Sequence, residues 1–485
     1  MADAIVAQLN EVLTWVLIVF LIAAGLTFTV LTRGVQFREF ATMWKVIFSS
    51  RSNAGEGISS FQAFAISLAS RVGVGNIVGV AVALSLGGPG AIFWMWLMAA
   101  FGMATAFVEA TLAQLYKIPH DDGTFRGGPA YYIQRGLKSR AGGVIFAAAL
   151  VFTFGFAFQM IQAGSIASVF QNTWSIPPIW TALGLAVLTG AIIFGGIKSV
   201  ARITEFLAPG MAIVYLLLAF VVIGLNITEV PAAIASIFAG AFGLNPALSG
   251  TAGGILASML NGVKRGMYSN EAGMGSAPNA AATATTSHPA HQGLIQSAGV
   301  FVDTMVVCTA TATLILLSSP TVYTPGVTSA DDAAALTQNA IVEELGGWAA
   351  PVLGVLIFVF AFSTILGNYS YAEVNQDFIG GGRAGNMAIR VLVVVSTFWG
   401  ALQELSFLFA VADVFMAVMA AINIIALFLL GRQAVGVLRD FRSQSAPVME
   451  RTFDLQNNPD LRERVPGEVW DSDAGRRTVG SPHHG

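Results

Sequence analysis

The chain is 485 residues long and 55% hydrophobic, but only 11% charged, where a soluble domain is nearer a quarter charged. That balance excludes an ordinary soluble domain, and repeated apolar runs of about 20 residues are those of an integral membrane protein. The net charge of -3 excludes little, because in such a chain the placement of charge matters more than its sum.

Eleven membrane spans are expected in chain order, over 12–32, 61–87, 90–116, 142–170, 178–197, 204–224, 247–268, 293–318, 350–372, 386–403 and 405–430. The expected fold class is an all-alpha polytopic membrane protein with two five-helix halves and one additional helix. Residues 1–35 hold that peripheral first helix, 36–60 an amphipathic cytoplasmic linker and 61–224 the first half. An outer loop follows at 225–246, then the second half at 247–431. The polar tail, 432–485, is expected to be cytoplasmic and disordered. No cleavable signal peptide is expected, since Met1–Ala7 lacks a basic region.

Basic residues set the orientation. Arg33, Arg38, Lys45 and Arg51 follow the first span. Lys117, Arg126 and Arg135 follow the third, Lys198 and Arg202 the fifth, and Arg432 and Arg439 the eleventh. With alternating spans these all fall on one side. The longer loops of the other side carry Glu229, Asp331, Asp332, Glu343 and Glu344 but no Lys or Arg. The N-terminus is therefore expected outside and the C-terminus in the cytoplasm. The single cysteine, Cys308, permits no internal disulfide and reads as a small buried hydrophobe. His288 and His291 stand at a loop-to-helix junction and read as structural, not metal-binding.

Two apolar stretches are interrupted. The first interruption, SRVGVGNIVG, covers Ser70–Gly79; the second, KRGMYSNEAGMGSAP, covers Lys264–Pro278. An intact helix consumes its amides and carbonyls internally, and unwinding it in the membrane frees several at once. Freed carbonyls suit Na⁺, and freed amides at a half-helix N-terminus suit a carboxylate. Tight helix packing by glycine is the competing reading for one such stretch. Two interruptions about 200 residues apart, each followed by further spans, favour a binding site.

Three stretches, SRVGVGNIVGVAVALSLGGPGAIFWMW (70–96), GTFRGGPAYYIQRGL (123–137) and NGVKRGMYSNEAGMGSAPNAAATA (261–284), closely resemble the alanine/glycine:cation symporter family, also called sodium:alanine symporters. The resemblance covers about 55–430. It implies the five-plus-five inverted-repeat architecture and Na⁺-coupled, in some members H⁺-coupled, import of alanine or glycine into a prokaryotic cell across its plasma membrane. It implies no cofactor beyond the coupling ion, and neither a nucleic acid nor an obligate protein partner. Where the family often has Thr, this chain has Val74, which leaves only the main chain at that position.

For the ion, the resemblance points to the carbonyls of Ala69 and Val72 and the hydroxyls of Ser363 and Thr364. The competing reading of those hydroxyls is a local bond to their own helix. For the amino acid it points to Gly73, Val74, Gly75 and Asn76. Phe158, Gln159 and Gln162 of the fourth span are expected to face them, a Gln amide being able to donate to a carboxylate and accept from an ammonium. In the second interruption two centres compete, Asn261–Gly262 and Ser269–Gly273. The first is favoured, because Lys264 and Arg265 at the midplane would be expensive. Arg71 is expected to pair with Glu271 or Asp303 and hold a cytoplasmic gate, with attraction of a substrate carboxylate as its alternative. An ion channel and a membrane enzyme are the rival functions. Ser70, His288 and Glu271 do not make a persuasive catalytic set, so the chain is not expected to be an enzyme.

Overall fold

The computed structural model describes residues 2–50, 57–121, 123–243, 254–329, 333–467 and 469–471. Helix is found at each of the eleven expected spans. Among the described residues, seven helices are long and apolar enough to cross a membrane, and the bent pair Ser60–Arg71 and Gly75–Gly87 makes an eighth. Length and hydropathy alone thus give fewer crossings than eleven. Pro178–Ile193 is only 16 residues long, Gly254–Asn270 only 17 and carries Lys264 and Arg265, and Gly382–Gly400 begins in polar residues. Outward faces are strongly apolar, with Phe206 76% and Val187 73% exposed, as a lipid-facing surface requires.

Ser59 starts the first broken span with a capping box: its hydroxyl accepts from the Gln62 amide, and the Gln62 side chain accepts from the Ser59 amide. The helix leaves its path at Val72 (φ -79°, ψ 85°), and its two halves meet at 47°. The second broken span is continuous from Gly254 to Asn270 and resumes at Ala277. Glu271, Gly273 and Gly275 all have positive φ, at 57°, 85° and 84°. The glycines adopt this freely; Glu271 does so at a cost of about 1–2 kcal/mol. The break therefore lies at 271–276, and the Lys264–Asn270 portion of the expected interruption is helix.

Three π-helical segments interrupt otherwise regular helices, at Gly75–Gly79, Thr153–Ala157 and Phe301–Cys308. Such segments concentrate at functional sites, and all three abut the breaks or the residues facing them.

The expectation of a disordered tail fails over most of its length. The last long helix continues to Ser443, and the chain beyond it buries Phe453, Leu455, Leu461, Val465 and Trp470. Trp470 Nε1 donates to the Gln114 carbonyl at 2.8 Å, and the Phe453 amide donates to the Ser287 carbonyl at 3.0 Å. Polar composition hid a handful of apolar anchors that land on fixed helix ends. The tail's last residues, 472–485, lie outside the described residues, as do Asp331 and Asp332 of the loop expected on the outer side.

Candidate functional site

The two breaks face one another. Gly75 lies so close to the second broken span that an added Cβ would sit 3.2 Å from the Tyr268 ring and 3.3 Å from Ser269 Cα. Gly73 is equally constrained on its other side, where a Cβ would collide with Thr364 Oγ1. Glycine serves close approach here.

Asn76 organises the first break. Its Oδ1 accepts from the Gly73 amide at 3.0 Å, while Nδ2 donates to Ser269 Oγ at 3.1 Å and Asp303 Oδ1 at 2.6 Å. Ser269 Oγ in turn donates to Asp303 Oδ2 at 2.6 Å, and Thr304 Oγ1 reaches the same oxygen at 2.9 Å. Cys308 Sγ is 3.1 Å from Ser269 Oγ, so the lone cysteine borders this polar cluster. An amide oxygen, a hydroxyl and a carboxylate are hard oxygen donors of the kind a small cation takes.

Above Gly75, Gln162 links the helices: its Oε1 accepts from the Val74 amide at 3.4 Å and its Nε2 donates to the Tyr268 hydroxyl at 3.2 Å. The Phe158 and Tyr268 rings meet edge to face at 4.8 Å, and Phe409 closes on Tyr268 at 5.5 Å. Gln159 is on a different face, its Nε2 donating to the Ile365 carbonyl at 3.0 Å. It ties helices together and takes no part in the Tyr268 group.

The four expected ion ligands are only partly assembled. Thr364 Oγ1 donates to the Ala69 carbonyl at 2.8 Å, and Val72 caps the same helix end. Ser363 Oγ instead donates to its own helix, at Phe360 O, 2.8 Å away.

Asn261 and Gly262 are not at the break. They lie on intact helix, ten residues before Glu271, about 15 Å along the axis. Asn261 Nδ2 donates to the Ala257 carbonyl, and a methyl on Gly262 would strike Ala91. The expectation failed because the charges held against the other register are compensated: Arg265 Nη2 is 2.5 Å from both Asp413 oxygens, Lys264 Nζ is 3.8 Å from Asp413 Oδ2, and the Arg265 guanidinium lies over the Phe409 ring at 4.8 Å.

Arg71 makes no ion pair with Glu271 or Asp303. Its Nη1 donates to the Gln296 carbonyl at 3.1 Å, and its buried Nε and Nη2 have no hydrogen-bond partner. Glu271 is held by hydroxyls instead, from Ser70 at 2.7 Å and Ser276 at 2.7 Å. Ser70 also reaches Asn368 Oδ1 at 2.9 Å. The second break is anchored further by Glu109, which accepts from the Gly273 amide at 3.3 Å and from Asn423 at 3.0 Å. Sequence reasoning missed Tyr268 and Asn368 as site neighbours. Their signal was position alone: an aromatic just before a break, and an amide one turn past Thr364.

Two unwound spans facing each other inside a helical membrane protein, with main-chain groups, amides, hydroxyls and the carboxylates of Glu271 and Asp303 between them, define a secondary transporter of the five-plus-five class. In keeping with this, the fold is similar to the crystal structure of MhsT in complex with L-phenylalanine, with a TM-score of 0.58 at 16% identity over 79% of this chain and 96% of that one. The chain belongs to the sodium:alanine symporter family, whose model matches residues 1–455. It is 44% identical to the amino-acid carrier protein AlsT of Bacillus subtilis, covering 93% of this chain and 94% of that protein. It is 43% identical to the probable sodium/glutamine symporter GlnT of the same organism, covering 93% of each. The sodium/alanine symporter AgcS of Methanococcus maripaludis is 38% identical, over 88% of this chain and 94% of that protein.

Proposed function

We propose that this protein imports a small neutral amino acid, alanine or glycine, together with Na⁺ by alternating access, with H⁺ as the alternative coupling ion. The observation that carries the reading is Asn76, which joins Gly73, Ser269 and Asp303 across the two breaks. Two cation positions follow. One lies between Ser269 and Asp303, with Asn76 joining through Oδ1 once its amide turns over, since Nδ2 faces both groups here; the other uses Ala69, Val72, Ser363 and Thr364, with Ser363 turning from Phe360 to join. The amino acid lies on the main chain of Gly73–Asn76, beneath Gln162, Phe158 and Tyr268.

The aromatic lid over glycine favours a small side chain. The relatives named for alanine and for glutamine leave the choice to that pocket. Arg71, Glu271 and Asp303 form the cytoplasmic side of the gate. A guanidinium held through one nitrogen can exchange partners as the breaks move, and an ion pair with Glu271 belongs to another state of the cycle. The N-terminus is outside and the C-terminus cytoplasmic, in a prokaryotic plasma membrane, and rocking of one helix bundle against the other carries the site from one side to the other.

Uptake of labelled alanine into proteoliposomes tests this, with imposed Na⁺ or H⁺ gradients and with glycine and glutamine as competitors. Saturable, Na⁺-dependent uptake competed by glycine supports the reading. Flux independent of both gradients would favour a channel, and chemical conversion of the amino acid would favour an enzyme.

A further inference from the structure

A polar cavity lies far from the breaks, where the first and last long helices end on the side marked as cytoplasmic by its basic residues. It has a volume of about 660 Å³, and its lining contains Arg33, Arg432, Arg439 and Arg442 but no Asp or Glu. Arg33, Arg432 and Arg439 are exposed and have no ion-pair partner among the described residues. Arg442 is fixed: Nε donates to Glu39 at 2.8 Å and Nη1 to the Thr32 carbonyl at 3.0 Å, which leaves the buried Nη2 without a partner. Asp460 and Glu463 line a neighbouring cavity that Arg432 and Arg439 also border, but neither pairs with them among the described residues, and the two acids closest to Arg442 along the chain and across the cavity are engaged. Glu39 is held by Arg442, and Asp440 accepts from His288, Gln444 and Asn458.

Four guanidinium groups around one cavity repel each other, and a bound anion relieves that repulsion. The surroundings say which kind of anion. Three residues before Arg33 stands Val30, 74% exposed; three residues before Arg432 stands Leu429, 63% exposed. On the helix, Leu429 and Arg432 share a face. Leu31 and Leu438 line the cavity itself. Cationic groups therefore sit directly at the end of an apolar, lipid-facing surface, which matches a molecule with a phosphate head and acyl tails.

We propose that this cavity binds the head group of an anionic phospholipid, with its phosphate between Arg432, Arg439 and Arg442 and its acyl chains along Val30 and Leu429. The shared chemistry is a phosphate anion, and the source is the bilayer. The proposal does not depend on what the protein transports.

The test uses the full chain, delipidated in detergent and titrated with phosphatidylglycerol, with phosphatidylcholine and with inorganic phosphate, the bound species being counted by native mass spectrometry. Phosphatidylglycerol should be retained and phosphatidylcholine should not. R432Q/R439Q should weaken retention about thirtyfold and R33Q alone about fivefold, while R383Q, an exposed arginine outside the cavity, should leave it unchanged. Equal retention of phosphatidylcholine, unchanged retention in both cavity variants, or an equal loss in R383Q would overturn the proposal. Displacement of the lipid by millimolar inorganic phosphate would overturn it too, and would assign the cavity to free phosphate.

Discussion

Ser70 Oγ donates to the Glu271 carboxylate at 2.7 Å and so joins the first break to the second, 201 residues later in the chain. The other Glu271 oxygen accepts from Ser276, and the residue's left-handed backbone is held between these two bonds. Replacing Glu271 by Ala leaves the buried Ser276 hydroxyl unpaired and Ser70 with Asn368 alone, which costs about 1–3 kcal/mol for the orphaned group. E271A should therefore lower the melting temperature in detergent. E271Q, which keeps acceptor and size, should melt near wild type yet transport slowly, because it cannot form an ion pair with Arg71. Normal turnover in E271Q would remove Glu271 from the gate.

Asp303 is the only charged member of the Asn76–Ser269 cluster. In D303N the amide oxygen can still accept from Asn76 while the Ser269 and Thr304 hydroxyls turn to accept from the new amide nitrogen, but the charge that offsets a cation is gone. The Na⁺ concentration for half-maximal uptake should rise about tenfold or more, equivalent to about 1.4 kcal/mol, with a smaller effect on alanine at saturating Na⁺. Uptake measured against Na⁺ at fixed alanine decides it. An unchanged Na⁺ requirement would move the ion elsewhere.

Gly73 faces Thr364 with no room for a methyl. Overpacking of a closed core costs about 1–3 kcal/mol, and here the strain falls on the pair Thr364–Ala69. G73A should lose uptake. G73A/T364A should recover thermal stability, since the collision is relieved, without recovering Na⁺-dependent uptake, since the hydroxyl is lost. Full recovery of transport in the double variant would assign Thr364 to packing alone.

The first break was legible because its signal is local: glycines, a serine, an arginine and an asparagine within an apolar run. The second was misplaced by ten residues because its decisive fact is not local. Lys264 and Arg265 look too costly for the membrane until Asp413 is brought beside them from 148 residues away, and no periodicity announces that pairing. The same holds for Arg71, where opposite charges near the break suggested an ion pair and hydroxyls from Ser70 and Ser276 took the carboxylate instead. Gln162 was legible as a neighbour of the first break and Gln159 was not separable from it. Three residues apart on a helix, they diverge only once the π-helical Thr153–Ala157 segment and the neighbouring helices fix which face meets Tyr268.

That distant pairing can be measured. Removing one member of a buried ion pair leaves the other uncompensated, at about 3–5 kcal/mol, whereas removing both is far milder. D413N should strongly destabilise the protein, and R265Q/D413N should regain part of the loss, since Lys264, 3.8 Å from Asp413, still loses its partner. Additive damage in the double variant would show that the two side chains act separately.

Trp470 gives the last test, and it concerns the tail. Its indole donates to the Gln114 carbonyl at the end of the third span, its own carbonyl accepts from the Leu455 amide at 2.8 Å, and its ring meets Phe453 edge to face at 5.8 Å. Phe453 in turn bonds Ser287, just before the helix that carries Asp303. One aromatic residue thus clamps the tail onto two spans that border the site. Truncating a buried Trp to Ala costs about 3–5 kcal/mol where the surroundings are rigid. In W470A the segment from Val448 should become sensitive to limited proteolysis while the membrane helices stay intact. If inward opening separates the third span from the Ser287 junction, a docked tail resists it, and W470A should then raise the rate of alanine release on the tail's side of the membrane. Unchanged proteolysis and unchanged release would show that the tail adheres without restraining the helices beneath it.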